Sequence, residues 1–429
     1  MSATRRTMLT YVGLVVFIFL VGLWQGPQNI TLLLAQSIAY ALIALGLNIQ
    51  FGYGGLFNFG VMGFLMVAGA ATVFVSFPVK PDFWGSDGPM LLGRALIAFL
   101  AGALLVWGAR HSDKLGVKGA WKSTLVVVCW FIAYVLYRSQ LDPAAQYIEA
   151  KSGWIGGLGL NPVLGWVVGA AVVAVIAWII GKVTLGLRTD YLAIATIGIS
   201  EILRNFVKNM DWLTRGTLTV SPVPWATPLP QDLQAQGVSI DSSFIYARLG
   251  FIALTVVFLV VAFFLVSRAY AGPWGRMMRA IRDNYIAAGS MGKDVTRRQL
   301  EIFVLGSVLM GLGGGMLVTL SQIFDPSSYQ PINQTFLIWV MVIVGGAGNN
   351  WGTILGVLLI YIIWIVSDPI AQLLFLNLSH WTEQVGWGAI PEIDSRSLQM
   401  RVFVLGVVIS IALRYFPRGV LPEVVRRDK

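Results

Sequence analysis

Long apolar runs recur along the whole of this 429-residue chain, and they constrain its fold more than any other feature. Most of the runs are about 17 to 20 residues long, the helical length that spans roughly 30 Å of hydrocarbon. Only 12% of the residues are charged, against roughly 25% in soluble domains, which excludes a charged shell around a soluble chain of this length. We therefore expect an all-α protein, a polytopic transmembrane helical bundle, whose 47 glycines allow close helix packing.

Twelve apolar segments are predicted, and ten to twelve of them are expected to be membrane segments. They are 8–24, 31–50, 59–77, 91–108, 123–138, 163–180, 191–207, 249–267, 300–320, 336–347, 352–367 and 401–415. The tenth and eleventh are halves of one stretch that splits at Gly345, Gly346, Gly348 and Gly352. The first has the basic start of a signal peptide without a small-residue cleavage site, so we interpret it as an uncleaved helix.

Lysine and arginine concentrate on one side of the predicted topology. If the segments alternate across the membrane, one side collects 20 of the 30 basic residues. These lie in 5–6, 109–122, 181–190, 268–298 and 414–429. Cytoplasmic loops carry this excess, so both termini are predicted to be cytoplasmic. The net charge of +10 then reflects topology and not nucleic-acid binding, because the charges are dispersed over short loops.

Several kinds of catalytic site have no motif in this sequence. No G-x-x-x-x-G-K-[ST] phosphate loop occurs, so the chain is not expected to grip ATP by itself. His111 and His380 fall on opposite sides of the predicted topology, which disfavours a metal site. Cys129 is the only cysteine, and no serine lies in a G-x-S-x-G elbow. We predict no catalytic residue, metal or bound cofactor, which disfavours the alternative of a membrane-embedded enzyme.

The charged loop 268–298 separates two strong apolar segments. Within it, 276–291 holds no proline and places apolar side chains at helical spacing, which predicts a short amphipathic helix ended by Gly292. The charged residues elsewhere on the helical wheel are Arg279, Arg282 and Asp283. Such a helix either rests on anionic lipid headgroups or docks on a soluble partner. Ala287 and Ala288 favour docking, because small side chains permit close approach.

Glu201 and Arg204 stand out inside a predicted span, where a central charge costs about 2.5 to 3.5 kcal/mol on insertion scales. At i and i+3 they share a helix face and can partly neutralise each other. They form either a structural ion pair, with Arg204 snorkelling to water, or a polar station for a zwitterion on the permeation path. Asn48 and Asn58 are further path candidates, although such amides more often hydrogen-bond a neighbouring helix.

Four segments of the chain carry motifs of one transporter family, in that family's order. They are NIQFGYGGLFNFGVMGF at 48–64, YLAIATIGISEILR at 191–204, RAIRDNYIAAGSMG at 279–292 and GGAGNNWGTILG at 345–356. These segments resemble the permeases of ABC importers for branched-chain amino acids, and specifically the M-type permease of the Liv system. The resemblance covers residues from about 31 to 415.

The resemblance implies one permease domain over 1–429, multi-pass in the bacterial inner membrane, with an extra pair of spans at about 91–160. It implies import of branched-chain amino acids driven by two separate ATPase subunits, which would bind ATP and magnesium. The residues implied to dock on an ATPase are Arg279, Arg282, Asp283, Ala287, Ala288 and Gly292. The other implied partners are a second related permease, a periplasmic or extracellular solute-binding protein and membrane lipid.

Two other transport functions stay open at this point. An ion-coupled secondary transporter could use Glu201 as a proton site, but it would give the docking loop no purpose. The second open function is that of an ABC permease for amides or urea, because relatives of this type differ in the solute that they carry. A weak internal echo between 38–64 and 336–359 suggests the paired broken helices of a transporter repeat, although glycine and asparagine also simply make turns.

Overall fold

A computed structural model describes residues 3–112 and 119–423, and this part of the chain is mostly α-helical. Within those ranges the only strand-like pairings are two isolated β-bridges, Val79 with Gly156 and Val220 with Phe324. The predicted all-α fold is confirmed. Residues 113–118 and 424–429 include basic residues that the sequence assigns to the cytoplasmic side, and these two stretches lie outside the described residues.

The helices follow the apolar segments closely. In chain order they are α1 (Ala3–Gln25), α2 (Pro27–Leu47), α3 (Val61–Ser76), α4 (Pro81–Trp84), α5 (Gly88–Arg110), α6 (Ala120–Ser152), α7 (Pro162–Thr184), α8 (Thr189–Lys208), α9 (Asp211–Thr214), α10 (Pro230–Ala235), α11 (Ile240–Ala271), α12 (Pro273–Asp283), α13 (Tyr285–Ser290), α14 (Val295–Ser321), α15 (Leu337–Gly345), α16 (Asn350–Gln384) and α17 (Ile393–Tyr415). Two π-helical turns, Asn48–Tyr53 and Ile332–Phe336, continue α2 and precede α15.

Each of the twelve predicted segments coincides with one of these helices. Nine helices among the described residues, α1, α2, α5, α6, α7, α11, α14, α16 and α17, are long and apolar enough to cross a membrane. The segments at α3 and α15 give shorter apolar helices, because irregular turns interrupt the chain beside them. The segment at α8 is a full helix of 20 residues, but charged side chains make it amphipathic.

Glycines on α14 bring three neighbouring helices into close contact with it. A Cβ atom on Gly306 would clash with the carbonyl oxygen of Gly46 in α2. A Cβ on Gly314 would lie 2.9 Å from the backbone of Leu65 in α3, and one on Gly311 would lie 3.1 Å from the backbone of α7. Small residues permit such approach between membrane helices. The buried centre of the bundle therefore forms around α2, α3, α7 and α14.

Loops predicted for the same side of the membrane contact one another. At one end of the bundle, Arg6 Nη2 donates to the carbonyl of Val420 at 2.9 Å, and Arg282 pairs with Glu423. At the other end, the amide of Ile155 donates to the carbonyl of Trp212 at 2.9 Å. We call the first of these the basic end, comprising the start of α1, residues 273–298 and residues 419–423. The predicted alternation of segments is consistent with this grouping.

The extra pair of spans forms a helical hairpin beside the bundle. Its helices α5 and α6 pack mainly against each other, with the backbone of Gly102 facing Ala133 closely enough that an added Cβ would lie 2.9 Å from the alanine Cβ. Most side chains in the apolar part of α6 are exposed. The hairpin therefore contributes little to the buried centre of the bundle.

Candidate functional site

Two interruptions of apolar helices meet at the basic end. We call residues 48–60 the first break, consisting of a π-helical turn and an irregular stretch before α3, and residues 346–349 the second break, between α15 and α16. Asn48 connects the breaks: its Oδ1 accepts from the amide of Gly348 at 2.8 Å, and its Nδ2 donates to Oδ1 of Asn350 at 3.0 Å. Residues 302 positions apart in the chain thus share one buried hydrogen-bond network.

Asn58 stabilises the irregular part of the first break. Its Nδ2 donates to Oε1 of Gln50 at 2.8 Å, and its Oδ1 accepts from the amide of Gly60 at 2.8 Å. Gln50 in turn donates to the carbonyl of Phe303 in α14 at 2.7 Å. Both amide side chains are fully buried, where unpaired polar groups would be costly. The contacts of Asn48 and Asn58 fit the interpretation that these amides hydrogen-bond neighbouring helices. Nothing in the sequence pattern marked Gln50 as part of this network.

The amphipathic segment within loop 268–298 consists of two helices, so the prediction of one continuous helix over 276–291 is wrong. α12 ends at Asp283, and Asn284 adopts an extended conformation at φ −157°. Its Oδ1 accepts from the amide of Ala287 at 3.0 Å and so caps the start of α13. The competing local bond of a capping asparagine explains the interruption. Gly292 follows α13 at φ +76°, as predicted for a glycine that ends a helix.

The inner face of α12 packs on protein. Met278 and Ile281 are almost fully buried in the main apolar cluster of the bundle. Above the first break, a Cβ on Gly55 would lie 3.1 Å from Cγ of Arg282, so α12 rests directly on this turn. The apolar face of this helix is therefore occupied by the bundle and is not free to rest on lipid.

Arg282 forms the most connected polar contact of this segment. Its Nη1 donates to the carbonyl of Gly52 at 2.6 Å and to Oε2 of Glu423 at 2.9 Å, and its Nε donates to Asp283 at 3.2 Å. Burial opposes the charge on Arg282, but the carboxylates of Glu423 and Asp283 outweigh it and raise the pKa of the guanidinium. This arginine therefore faces the bundle as a permanent cation.

The outer face of α13 is exposed and apolar. Tyr285, Ile286 and Met291 are 59%, 66% and 80% exposed. The two alanines differ in exposure: Ala287 is exposed, whereas Ala288 is 8% exposed and belongs to the buried cluster of the bundle. Ala288 therefore brings α13 close to the bundle and does not itself offer a surface to a partner.

The remaining predicted docking residues lie around this surface. Asp283 and Gly292 are exposed. Arg279 is half-buried and lines a cavity of about 280 Å³ at the basic end, together with Asn350 and Glu423. Of the docking residues, Arg279, Arg282 and Ala288 are turned toward the bundle.

Glu201 and Arg204 form an ion pair on α8, away from the basic end. Arg204 Nη1 lies 3.2 Å from Oε2 of Glu201, whose side chain is 36% exposed, and the buried Nε of Arg204 has no hydrogen-bond partner among the described residues. α8 packs mainly against α3, where a Cβ on Gly63 would lie 3.0 Å from Ser200. The first break also reaches α8, because the amide of Phe59 donates to Oγ1 of Thr196 at 3.0 Å. Among the path candidates, Asn58 is therefore close to this helix, while Asn48 belongs to the basic end.

An apolar cavity of about 310 Å³ lies beside the C-terminal half of α8, between α3 and α7. Its lining includes Val67, Phe74, Leu203, Phe206 and Val207, and is almost entirely apolar. A cavity of this size and character accepts an aliphatic side chain or lipid tail.

The chain matches one protein family over most of its length. The family described as "Branched-chain amino acid transport system / permease component" matches residues 29–142 and 122–413. No solved structure matches the chain.

Three curated relatives are similar to the chain. One is a probable branched-chain amino acid transport permease protein LivM from Methanocaldococcus jannaschii, 23% identical over 92% of this chain and 93% of that protein. The others are high-affinity branched-chain amino acid transport system permease proteins LivM from Salmonella typhimurium and Escherichia coli, 29% and 28% identical. The matched region covers 42% of this chain and 44% of each of those two proteins.

Proposed function

The chain belongs to the branched-chain amino acid permease family, as an M-type permease, and we propose that it is the membrane subunit of an ATP-driven importer. Its proposed cargo is branched-chain amino acids. As a multi-pass membrane permease, it would carry the solute while separate subunits hydrolyse ATP. We place it in the bacterial inner membrane, with the basic end cytoplasmic, because that end holds the lysine and arginine excess.

The outer face of α13 is the observation that carries this proposal. Tyr285, Ile286 and Met291 expose apolar surface on a segment outside the spans, beside charged Asp283 and Lys293. Exposed apolar patches rimmed by polar residues mark sites of protein association. The apolar face of α12 is already buried in the bundle, so the exposed apolar surface of this segment belongs to α13. A soluble ATPase subunit docked on α13 accounts for this surface.

Docking at α13 would connect an ATPase to the first break of the bundle through α12. α12 rests on the first break, and interrupted helices in transporters border substrate and gating sites. A change in docking geometry between two states of the ATPase would shift α12, and a ligand that favours one state is enough to shift the population. This chain would therefore bind no nucleotide, and ATP and magnesium would be held by the two ATPase subunits.

The exposed face of α8 supports a second permease chain as a partner. Glu201 lies about 18 Å along a helix of about 30 Å, which places it near the middle of the bilayer if α8 crosses it. Gly198 and Asn205 share its exposed side, and no atom lies within 4 Å of a Cβ built on Gly198. Lipid is a costly neighbour for a carboxylate at this depth. We infer that this face borders a second permease chain, with the permeation path between them.

The Glu201–Arg204 pair also bears on the secondary-transporter alternative. Because Arg204 supplies the counter-ion, Glu201 needs no coupled cation to balance its charge in the membrane. The pair suits a path for a zwitterion, whose ammonium and carboxylate could each meet one partner. Selection of the amino acid is assigned to a solute-binding protein at the other end of the bundle. Amides or urea remain the alternative cargo.

Replacing Ile286 by glutamate tests the docking surface. Ile286→Glu places a charge in the centre of the exposed apolar face, so we expect loss of co-purification with the ATPases and at least about a tenfold fall in uptake. Membrane insertion should be unchanged, because the side chain contacts solvent in the isolated chain. The matched control is Leu218→Glu, an equally exposed leucine in the loop at the other end. Normal ATPase binding by Ile286→Glu would contradict the proposal.

A further inference from the structure

The last described residues of the chain lie along the second break. The amide of Val420 donates to the carbonyl of Val344 at 2.8 Å, and that of Leu421 donates to the carbonyl of Gly345 at 3.0 Å. Asn349 Nδ2 donates back to the carbonyl of Leu421 at 3.1 Å. Residues 419–423, which we call the tail, are thus hydrogen-bonded to both sides of the second break.

The tail then reaches the cytoplasmic segment through an ion pair. Oε2 of Glu423 accepts from Arg282 Nη1 at 2.9 Å, and both side chains are mostly buried. The same nitrogen donates to the carbonyl of Gly52 in the first break at 2.6 Å. One guanidinium therefore connects the docking segment, the first break and, through Glu423, the second break.

Asn48 closes this set of contacts. Its side chain joins the first break to Gly348 of the second break at 2.8 Å. The two breaks are consequently linked twice, once inside the bundle through Asn48 and once at its surface through Arg282 and the tail. A displacement of α12 that moves Arg282 acts on both breaks together.

We propose that Arg282 and the tail form a strap that transmits movement of α12 and α13 to both helix breaks at once. The inference rests on the proposed function, because it assumes that an ATPase moves these helices. Arg282 acts as a positioning residue: a guanidinium presents several N–H groups in a fixed fork, and here Nη1 holds the Gly52 carbonyl and Glu423 while Nε holds Asp283. Lysine keeps the charge without this fork.

The test compares ATP hydrolysis with solute uptake in proteoliposomes that hold the complete transporter. Arg282→Lys and Glu423→Gln each weaken the strap while leaving the exposed surface of α13 unchanged. We expect normal co-purification with the ATPases and near-normal ATP hydrolysis, with about a tenfold fall in leucine transported per ATP, within the usual range of coupling between sites. Arg276→Gln is the matched control, because this arginine is exposed on the same helix.

Asn349→Asp supplies a variant that breaks the tail's other anchor. Aspartate keeps the oxygen that accepts from the amide of Trp351 and caps α16, but it loses the donor to Leu421. Uncoupling by any folded strap variant, judged by an unchanged thermal midpoint in detergent, supports the proposal. Full coupling in the folded variants would overturn it, as would loss of ATPase binding, which would make Arg282 a docking residue. If uptake by the wild-type transporter does not depend on ATP, the proposed function itself is wrong.

Discussion

At the scale of single residues, glycine and asparagine decide where helices approach and where they stop. Gly306 and Gly46 face each other across α14 and α2, and each would clash with the other's backbone if it carried a Cβ. Asn48 is fully buried, and Gly348 of the second break and Asn350 at the start of α16 satisfy the two ends of its side-chain amide. The contacts of these residues cannot be read from local pattern, because their partners lie hundreds of positions away.

Gly306→Ala is expected to destabilise the bundle. The added methyl would clash with the Gly46 carbonyl, so α2 and α14 would have to separate, at a cost of about 1 to 3 kcal/mol as for other overpacked cores. The measurement is the thermal unfolding midpoint of the purified chain in detergent. Gly13→Ala is the control in another apolar helix, because no atom lies within 4 Å of its added Cβ. Equal midpoints for the two variants would show that the α2–α14 contact is not tight.

At the scale of elements, the sequence predicted helices well and their interruptions less well. Apolar runs placed twelve segments correctly, since burial in lipid leaves helix as the way to satisfy the backbone. The same pattern suggested one helix over 276–291, but periodicity does not register a cap such as Asn284, which competes for backbone donors. The ion pair of Arg282 with Glu423 spans 141 positions and could not be read from local pattern at all.

A photo-reactive side chain at Ile194 or Ile202 tests which neighbour covers α8. Both isoleucines are 67% exposed on the side of α8 that carries Glu201. We expect cross-links to a second permease chain, because the Glu201 carboxylate on this face needs a protein neighbour at membrane depth. Val127 on α6 is the control, since it is 68% exposed on the separate hairpin and should label lipid. Lipid adducts alone at both α8 positions would remove the evidence for the proposed interface.

At the scale of the whole molecule, polar residues sit where parts of the bundle meet. The basic end joins the start of α1, the helices α12 and α13, both breaks and the tail, while the ion pair of Glu201 and Arg204 lies on α8. Composition predicts such a division in outline, because charges in a membrane protein gather outside the spans or at functional positions. The two breaks lie in the segments 38–64 and 336–359 of the suggested repeat, and they contact each other through Asn48 and Gly348. A common symmetry of the two halves is a hypothesis.

The central claim is that an ATPase outside this chain drives the bundle through α12 and α13. The most direct measurement is leucine accumulation in proteoliposomes, with the chain reconstituted alone and with its second permease, ATPases and solute-binding protein. The account predicts accumulation against a gradient only when the ATPases and ATP are both present. Uphill transport by the purified chain alone would contradict it.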